Sequence, residues 1–260
     1  MSITHRCRVV QQKKLGDGIF VLRLEMQLTA PPLPGNFVHI KVNSETDPLL
    51  RRPFSIYDYD LSTGVVDVLY KVFGRGTRIL AQAHAGDYLD VLGPLGNSFA
   101  DLQHEQNLIL VGGGVGIPPL YLLAKQACAN GHQPQIKFLC GLASAAEKPL
   151  AERLQQLPVT LEYSTDDGSL GYHGLVTDLL AQELLGNTDA VIASCGPPGM
   201  LREVQRLCRE HKVRGYLSLE SIMPCGVGTC LGCVVREANG PGYRRVCREG
   251  PVFSTEEVQL

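Results

Sequence analysis

Cys225, Cys230, Cys233 and Cys247 stand in the segment MPCGVGTCLGCVVREANGPGYRRVC with the spacing C-x(4)-C-x(2)-C-x(13)-C. The first three match the run that holds plant-type [2Fe–2S] clusters. A loop that wraps an inorganic cluster has to turn tightly and point backbone N–H groups at sulfur. Gly226, Gly228 and Gly232, set between these cysteines, permit that, because glycine reaches positive φ without a Cβ clash. Four thiolates also suit a tetrahedral structural zinc ion. Zinc sites usually arrive as two C-x(2–4)-C pairs, whereas here one loop supplies three cysteines and a distant position the fourth. The spacing therefore favours iron–sulfur, and with it single-electron transfer.

Three further constellations carry chemistry. In Arg51-Arg52-Pro53-Phe54-Ser55-Ile56-Tyr57, an arginine at the start of an expected strand can pair with a pyrophosphate, and Ser55 on the same strand edge can hydrogen-bond a flavin ring. Gly74-Arg75-Gly76-Thr77 follows a second strand and opens a helix, so Gly76 and Thr77 can present N–H groups to a phosphate; a helix cap by Thr77 is the plainer reading. Gly112-Gly113-Gly114-Val115-Gly116-Ile117-Pro118-Pro119 lies at a strand-to-helix junction, where Gly112, Gly114 and Gly116 let a ligand approach the backbone. It is not the Rossmann fingerprint: counted from Gly112 the third glycine falls at Ile117, and counted from Gly114 at Pro119. Cys195, in CGPPGM, ends a later strand on the same carboxyl edge, where its thiol can lie against a nicotinamide ring or simply fill a crowded strand end. The turn Ser164–Ser169 on that edge reads as a ribose contact or as a polar turn.

The elements that must position these residues fall into three stretches. Residues 5 to about 95 alternate in short apolar–polar runs broken by glycine and proline, as in DGIFVLRLEMQL, GNFVHIKVN and GVVDVLYKVFG, which predicts a small antiparallel barrel. One slip in the first run reads as a bulge. From residue 107, strand-like and helix-like runs alternate through RGYLSLE, the pattern of a parallel sheet with crossover helices. Residues 221–260 read as loop with a short polar tail. The expected organisation is thus α/β plus all-β: an antiparallel β-barrel over 1–100, a parallel α/β domain over 101–220 and a [2Fe–2S] cluster loop over 221–260.

Bulk properties narrow the class. In 260 residues, 24 Lys and Arg stand against 26 Asp and Glu, a net charge of −2 with no basic block, so nucleic-acid binding is unsupported. The apolar stretches carry glycine and proline, none reads as a transmembrane helix, and the N-terminus has no signal-peptide core. Nine cysteines without a secretion signal point to a reducing, cytoplasmic setting. Cys7, Cys128, Cys140 and Cys208 read as small buried apolar residues.

With these residues laid out, the chain resembles the ferredoxin–NAD(P)⁺ reductase-like flavoproteins, in which RPFS, GRGT, GGGVGIPP and CGPPGM occur in this order. SLESIMPCGVGTCLGCVV…CREGPVF is similar to the electron transfer subunits of NAD-dependent dihydroorotate dehydrogenases. The resemblance spans essentially the whole chain and implies three cofactors: FAD, NAD and one [2Fe–2S] cluster. Residue by residue it assigns Arg52, Pro53, Phe54, Ser55, Leu69, Tyr70, Lys71, Gly76 and Thr77 to FAD, and the four C-terminal cysteines to the cluster. The glycines of 112–116 and the CGPPGM turn go to the nucleotide, with Ser55 and Cys195 at the reacting end. It also implies an FMN-containing partner subunit that oxidises dihydroorotate in pyrimidine synthesis, in a heterotetramer of two copies of each. A flavin/iron–sulfur subunit of a ferredoxin:NAD(P) oxidoreductase or sulfide dehydrogenase-like complex uses the same parts. A zinc-binding scaffold with no redox role is the alternative from another class. No arginine follows the second strand of the α/β domain in KFLCGLASAAE to hold a 2′-phosphate, which favours NAD over NADP, while Lys148 leaves NADP open.

Overall fold

A computed structural model of the chain describes residues 3–129, 134–186 and 189–260. Strands β1 (Ile3–Gly16), β2 (Ile19–Glu25), β3 (Phe37–Lys41), β4 (Arg52–Ser55), β5 (Asp58–Asp60), β6 (Val65–Lys71) and β7 (Tyr88–Leu95) form the first sheet. A short helix, α1 (Arg75–Leu80), lies between the last two. The strand order is β4-β3-β7-β1-β2-β6-β5 and the pairings are antiparallel. β4, at one end of the sheet, returns against β6, where the Phe54 and Tyr70 rings meet at 5.6 Å. The sheet thus curls into a barrel around Cys7, Leu22, Leu24, Val38, Ile40 and Val68.

The slip in DGIFVLRLEMQL has a different cause from the expected bulge. β2 pairs with β6 without a shift from Ile19↔Lys71 to Glu25↔Val65. Val21 and Leu22 are both buried because both faces of β2 are covered. Leu22 and Leu24 fill the barrel, while Ile19 and Val21 join the core of the neighbouring domain. The irregularity lies on β1, between Val9 and Gln11 and again between Lys14 and Gly16.

The alternating stretch folds as expected into a parallel sheet. Its strands are β8 (Asn107–Gly113), β9 (Gln135–Leu142), β10 (Thr160–Thr165), β11 (Tyr172–His173), β12 (Val191–Cys195) and β13 (Gly215–Ser218). The helices α2 (Ile117–Ala129), α3 (Val176–Leu184) and α4 (Pro198–His211) connect them. Asn130 and Gly131, at the end of the first expected helix, lie outside the described residues. β8 and β12 are central and covered on both sides, so they read as continuous apolar runs. The run EKPLAERLQQL is helical, but as a 3₁₀ stretch over Ala145–Gln156 that contains Pro149. Proline lacks the N–H and crowds the carbonyl four residues back, which disfavours the α ladder there.

Two charged side chains from the α/β domain clamp it to the barrel. Arg153 donates to Asp67 (2.6 Å) and Asp58 (3.4 Å) and lies over the Tyr57 ring at 4.7 Å. Lys125 of α2 donates to Asp58 at 2.6 Å, and Arg23 of the barrel completes the set by donating to Asp67 at 3.1 Å.

Residues 221–260 hold more regular structure than the loop expected. β14 (Val234–Glu237), β15 (Tyr243–Arg245) and β17 (Val258–Gln259) form a three-stranded sheet, and β16 (Val252–Ser254) adds an antiparallel edge strand to β13. These strands run to four residues at most, too short to leave a periodic pattern. Cys233, Val246, Cys247, Phe253 and Val258 share one apolar core with α3 and α4. The side-chain amide of Gln205 on α4 donates to the carbonyls of Thr255 (2.8 Å) and Val258 (2.7 Å). Asn97, after β7, bonds to Glu249 and Val252. The cysteine segment is therefore built onto both other parts.

Candidate functional site

β4 carries RPFS, and its Arg52 and the preceding Arg51 divide their work. Arg51 donates to the Asp90 carbonyl and carboxylate, both at 2.7 Å, so its charge is already paired. Arg52 packs on α1: a Cβ at Gly76 would stand 2.8 Å from its Nε. The glycine of GRGT thus makes room for the arginine of RPFS. Thr77 is occupied locally. Its Oγ1 accepts from the N–H groups of Phe73 (2.9 Å) and Gly74 (3.0 Å), which closes the turn before α1.

Arg52 to Ser55 of β4, with Leu69, Tyr70 and Lys71 of β6, line one side of a cleft of ≈ 680 Å³. Val115, Cys195 and the run Ser218–Met223 line the other. The cleft therefore lies between the barrel and the carboxyl edge of the parallel sheet, the edge at which such sheets bind ligands. Lys71 also pairs with Glu147 of the 3₁₀ stretch, which ties the barrel to the α/β domain. The cleft brings Arg52, Pro53, Phe54, Ser55, Leu69, Tyr70, Lys71 and Cys195 together.

Cys195 ends β12, opposite Gly112 of β8 on one side and Ser218 of β13 on the other. Burial pushes its thiol far above the ordinary range, so it offers a neutral, soft surface at neutral pH. Glu220 also lines the cleft, and the surrounding protein raises its carboxyl although solvent still reaches the side chain through the opening. Sequence reasoning gave neither Glu220 nor Ser218 a role. The signal available was their place at the end of an expected strand on the ligand-binding edge.

In the glycine turn after β8, Gly112 and Gly116 have a packing reason. A Cβ on Gly116 would lie 2.1 Å from the Cys195 carbonyl oxygen, and one on Gly112 would press on Ile117 and Phe138. Gly114, at φ +52 with nothing near its Cβ position, is the open one. These close approaches bring the GGGVG and CGPPGM turns against each other. The Ser164–Ser169 turn is largely self-bonded, through Asp167 to Ser169 and Thr165 to Leu170.

The cysteine loop begins where the cleft wall ends, since Met223 lines the cleft and Cys225 follows two residues later. Among the described residues no three metal-capable side chains converge on one ion position. The thiols instead neighbour one another as two pairs, Cys225 with Cys230 and Cys233 with Cys247. Backbone donors point at sulfur: Val227 N to Cys225 (3.5 Å), Gly232 N to Cys230 (3.4 Å) and Cys247 N to Cys233 (3.4 Å). Against the opposing effect of burial, N–H donation from Val227, Cys230 and Thr229 helps draw the Cys225 thiol down to about 6. Burial and the neighbouring Cys233 push the Cys247 thiol the other way, up to about 12.

His39 of β3 is fully buried behind this loop, and neither ring nitrogen has a hydrogen-bond partner. Burial, reinforced by the Arg51 charge, lowers it to about 4, so the ring is neutral at pH 7.

Comparison with known proteins follows the same three stretches. A family model for the iron–sulfur cluster binding domain of dihydroorotate dehydrogenase B matches residues 220–259. An oxidoreductase NAD-binding domain matches 110–206, and an oxidoreductase FAD-binding domain matches 6–99. The dihydroorotate dehydrogenase B (NAD(+)) electron transfer subunit of Shouchella clausii is 38% identical over 260 residues, covering 98% of both chains. The protein of that name from Enterococcus faecalis is 42% identical over 259 residues, covering 97% of both. Among solved structures, a chain of the NADH-dependent reduced ferredoxin–NADP oxidoreductase, described for flavin-based electron bifurcation, aligns with a TM-score of 0.85 at 29% identity, over 100% of this chain and 91% of that one. A ferredoxin NADP⁺ reductase of Neisseria gonorrhoeae, with bound FAD and NADP, shares the fold at a TM-score of 0.69 and 14% identity, over 80% and 91% of the two chains.

Proposed function

The chain belongs to the family of dihydroorotate dehydrogenase B electron transfer subunits, and from that membership we propose that it carries electrons from a dihydroorotate-oxidising catalytic subunit to NAD⁺. The net reaction balances as dihydroorotate + NAD⁺ → orotate + NADH + H⁺, with two electrons crossing this chain per turnover. The observation that carries the reading is the shared cleft: barrel strand, nucleotide-sheet edge and the lead-in to the cysteine loop line one cavity. When bound, FAD and a [2Fe–2S] cluster supply the exchange between single-electron and hydride chemistry.

The residues take the following parts. Arg52, which donates to the Leu50 and Arg51 carbonyls and has no carboxylate partner among the described residues, would anchor the FAD pyrophosphate. Pro53, Phe54, Leu69 and Tyr70 form the apolar wall for the flavin ring, and Ser55 donates to its polar edge. Lys71 stays in the cleft mouth through Glu147. Gly76 lets Arg52 approach, and Thr77 shapes the turn. Gly112, Gly114 and Gly116 would shape the nucleotide side, where Gly114 leaves the backbone open, and Cys195 and Glu220, which line the cleft, would face the reacting end of a bound nucleotide. Cys225, Cys230, Cys233 and Cys247 hold the cluster. The NAD(+) in the relatives' names supports NAD as the acceptor.

The partner is a catalytic subunit carrying FMN, two copies of each chain making a heterotetramer. We place the chain in the cytoplasm, the reducing setting that nine cysteines suggest. No helix among the described residues is long and apolar enough to cross a membrane. The isolated chain, purified with its cofactors, is expected to oxidise NADH with ferricyanide and to leave dihydroorotate untouched until the partner is added. Dihydroorotate turnover by the chain alone would refute this division of labour. A colourless protein with one zinc ion per chain would refute the redox reading itself.

A further inference from the structure

His39 stands between the two halves of the site. β3 presents Phe37 and His39 on one face, since alternate residues of a strand share a face. Phe37 lines the cleft and packs in the same apolar core as Cys233 and Cys247. His39 pairs across the β3–β4 ladder with Pro53, itself a cleft residue. Its ring then meets the cysteine loop: a Cβ on Gly226 would lie 2.5 Å from Nδ1, so only glycine fits beside Cys225. Gly226 also has φ +71, the left-handed region that favours glycine. The Met223 and Arg51 carbonyls face the ring closely enough to favour its protonated form, although neither contact reaches full hydrogen-bond geometry. An apolar side chain would fill the same space but offer neither carbonyl a donor.

We propose that His39 is a positioning residue for electron transfer between the cleft and the cysteine loop. It fixes the Met223–Gly226 lead-in against the β3–β4 wall, and so sets both the potential of the cluster and the rate at which electrons reach it. The proposal rests on the assignment of the cluster to the four cysteines. His39 is not a ligand in this account. It acts through Gly226 and Met223, one of which precedes and the other of which follows the first cysteine.

The test uses the full chain loaded with FAD and cluster, as wild type, His39→Gln and His39→Leu. Five quantities are read: iron and FAD content, NADH oxidation by ferricyanide, melting temperature, the midpoint potential of the cluster, and the rate at which NADH bleaches the cluster absorbance without oxygen. His39→Leu is expected to keep FAD, iron and ferricyanide activity within twofold of wild type. Its cluster bleaching should slow at least tenfold and its cluster midpoint should move by about 59 mV, the equivalent of a tenfold change for one electron. His39→Gln, which keeps a donor and an acceptor, should fall between the two. Unchanged potential and bleaching rate in both variants would overturn the proposal. Loss of FAD in both would also overturn it, by assigning His39 to the barrel fold alone. A wild-type preparation with flavin but no iron would instead remove the cluster assignment on which the proposal rests, so the two failures are distinguishable.

Discussion

At the scale of single residues, Cys230 and His39 give the most direct handles. Cys230 is the exposed member of the four loop cysteines, and its sulfur accepts from Gly232 N. Cys230→Ser removes a soft ligand without touching the cleft. The variant should bind FAD as wild type does, while NAD⁺ reduction in the complex with the catalytic subunit falls at least a hundredfold. Undiminished coupled turnover would contradict the ligand assignment. For His39 the sign of the pH effect follows from its lowered value. The unfolded ring takes a proton near 6.5 and the folded one only near about 4. Folded stability is therefore full above the unfolded value and declines as pH falls from there through about 4. The decline attributable to this ring is at most about 3 kcal/mol, at 1.36 kcal/mol per unit. Denaturant titrations at pH 7 and pH 4 should show a smaller acid loss in His39→Gln than in wild type. Parallel losses in the two proteins would show that other groups control acid stability.

At the scale of elements, the site depends on how the barrel and the parallel sheet are held. Arg153, on the 3₁₀ stretch, joins Asp67 and Asp58 of the barrel across the domain junction, and Asp67 is only 5% exposed. Breaking a buried ion pair costs more than forming it contributes, because a charge is left uncompensated. Arg23 still faces Asp67, so Arg153→Ala should cost about 2 kcal/mol rather than the full penalty of a lone buried carboxylate. Calorimetry would detect this, and ferricyanide-linked NADH oxidation should fall with it because the cleft walls lose alignment. An unchanged melting temperature would mean the apolar contacts alone fix the domains.

The elements also explain what the sequence made legible. The cysteine spacing was readable because a cluster is wrapped by one local loop. The strand–helix alternation was readable because each central strand of a parallel sheet is buried on both faces. β1 was not picked out as a strand, although it lies between β2 and β7, because its surface alternates polar residues around Cys7 and Val9. Val21 and Leu22 looked like an irregularity because two cores meet on β2. Roles for His39 and Glu220 were invisible because each arises from contacts far apart in the chain. In the cleft, Ser55 and Cys195 had a pattern to announce them, while Ser218 had only its strand end.

At the scale of the whole molecule, the carboxyl edge of the parallel sheet, the cleft against the barrel and the cysteine loop adjoin, with Met223 and His39 where cleft and loop meet. The central claim is that these form one electron circuit within this chain. An anaerobic titration of the purified, loaded chain with NADH, followed by absorbance, tests it most directly. The account predicts that the flavin bands and the longer-wavelength iron–sulfur bands both bleach. In Cys230→Ser, only the flavin bands should respond. Bleaching of flavin alone in the wild type, with iron–sulfur absorbance unchanged at saturating NADH, would contradict it.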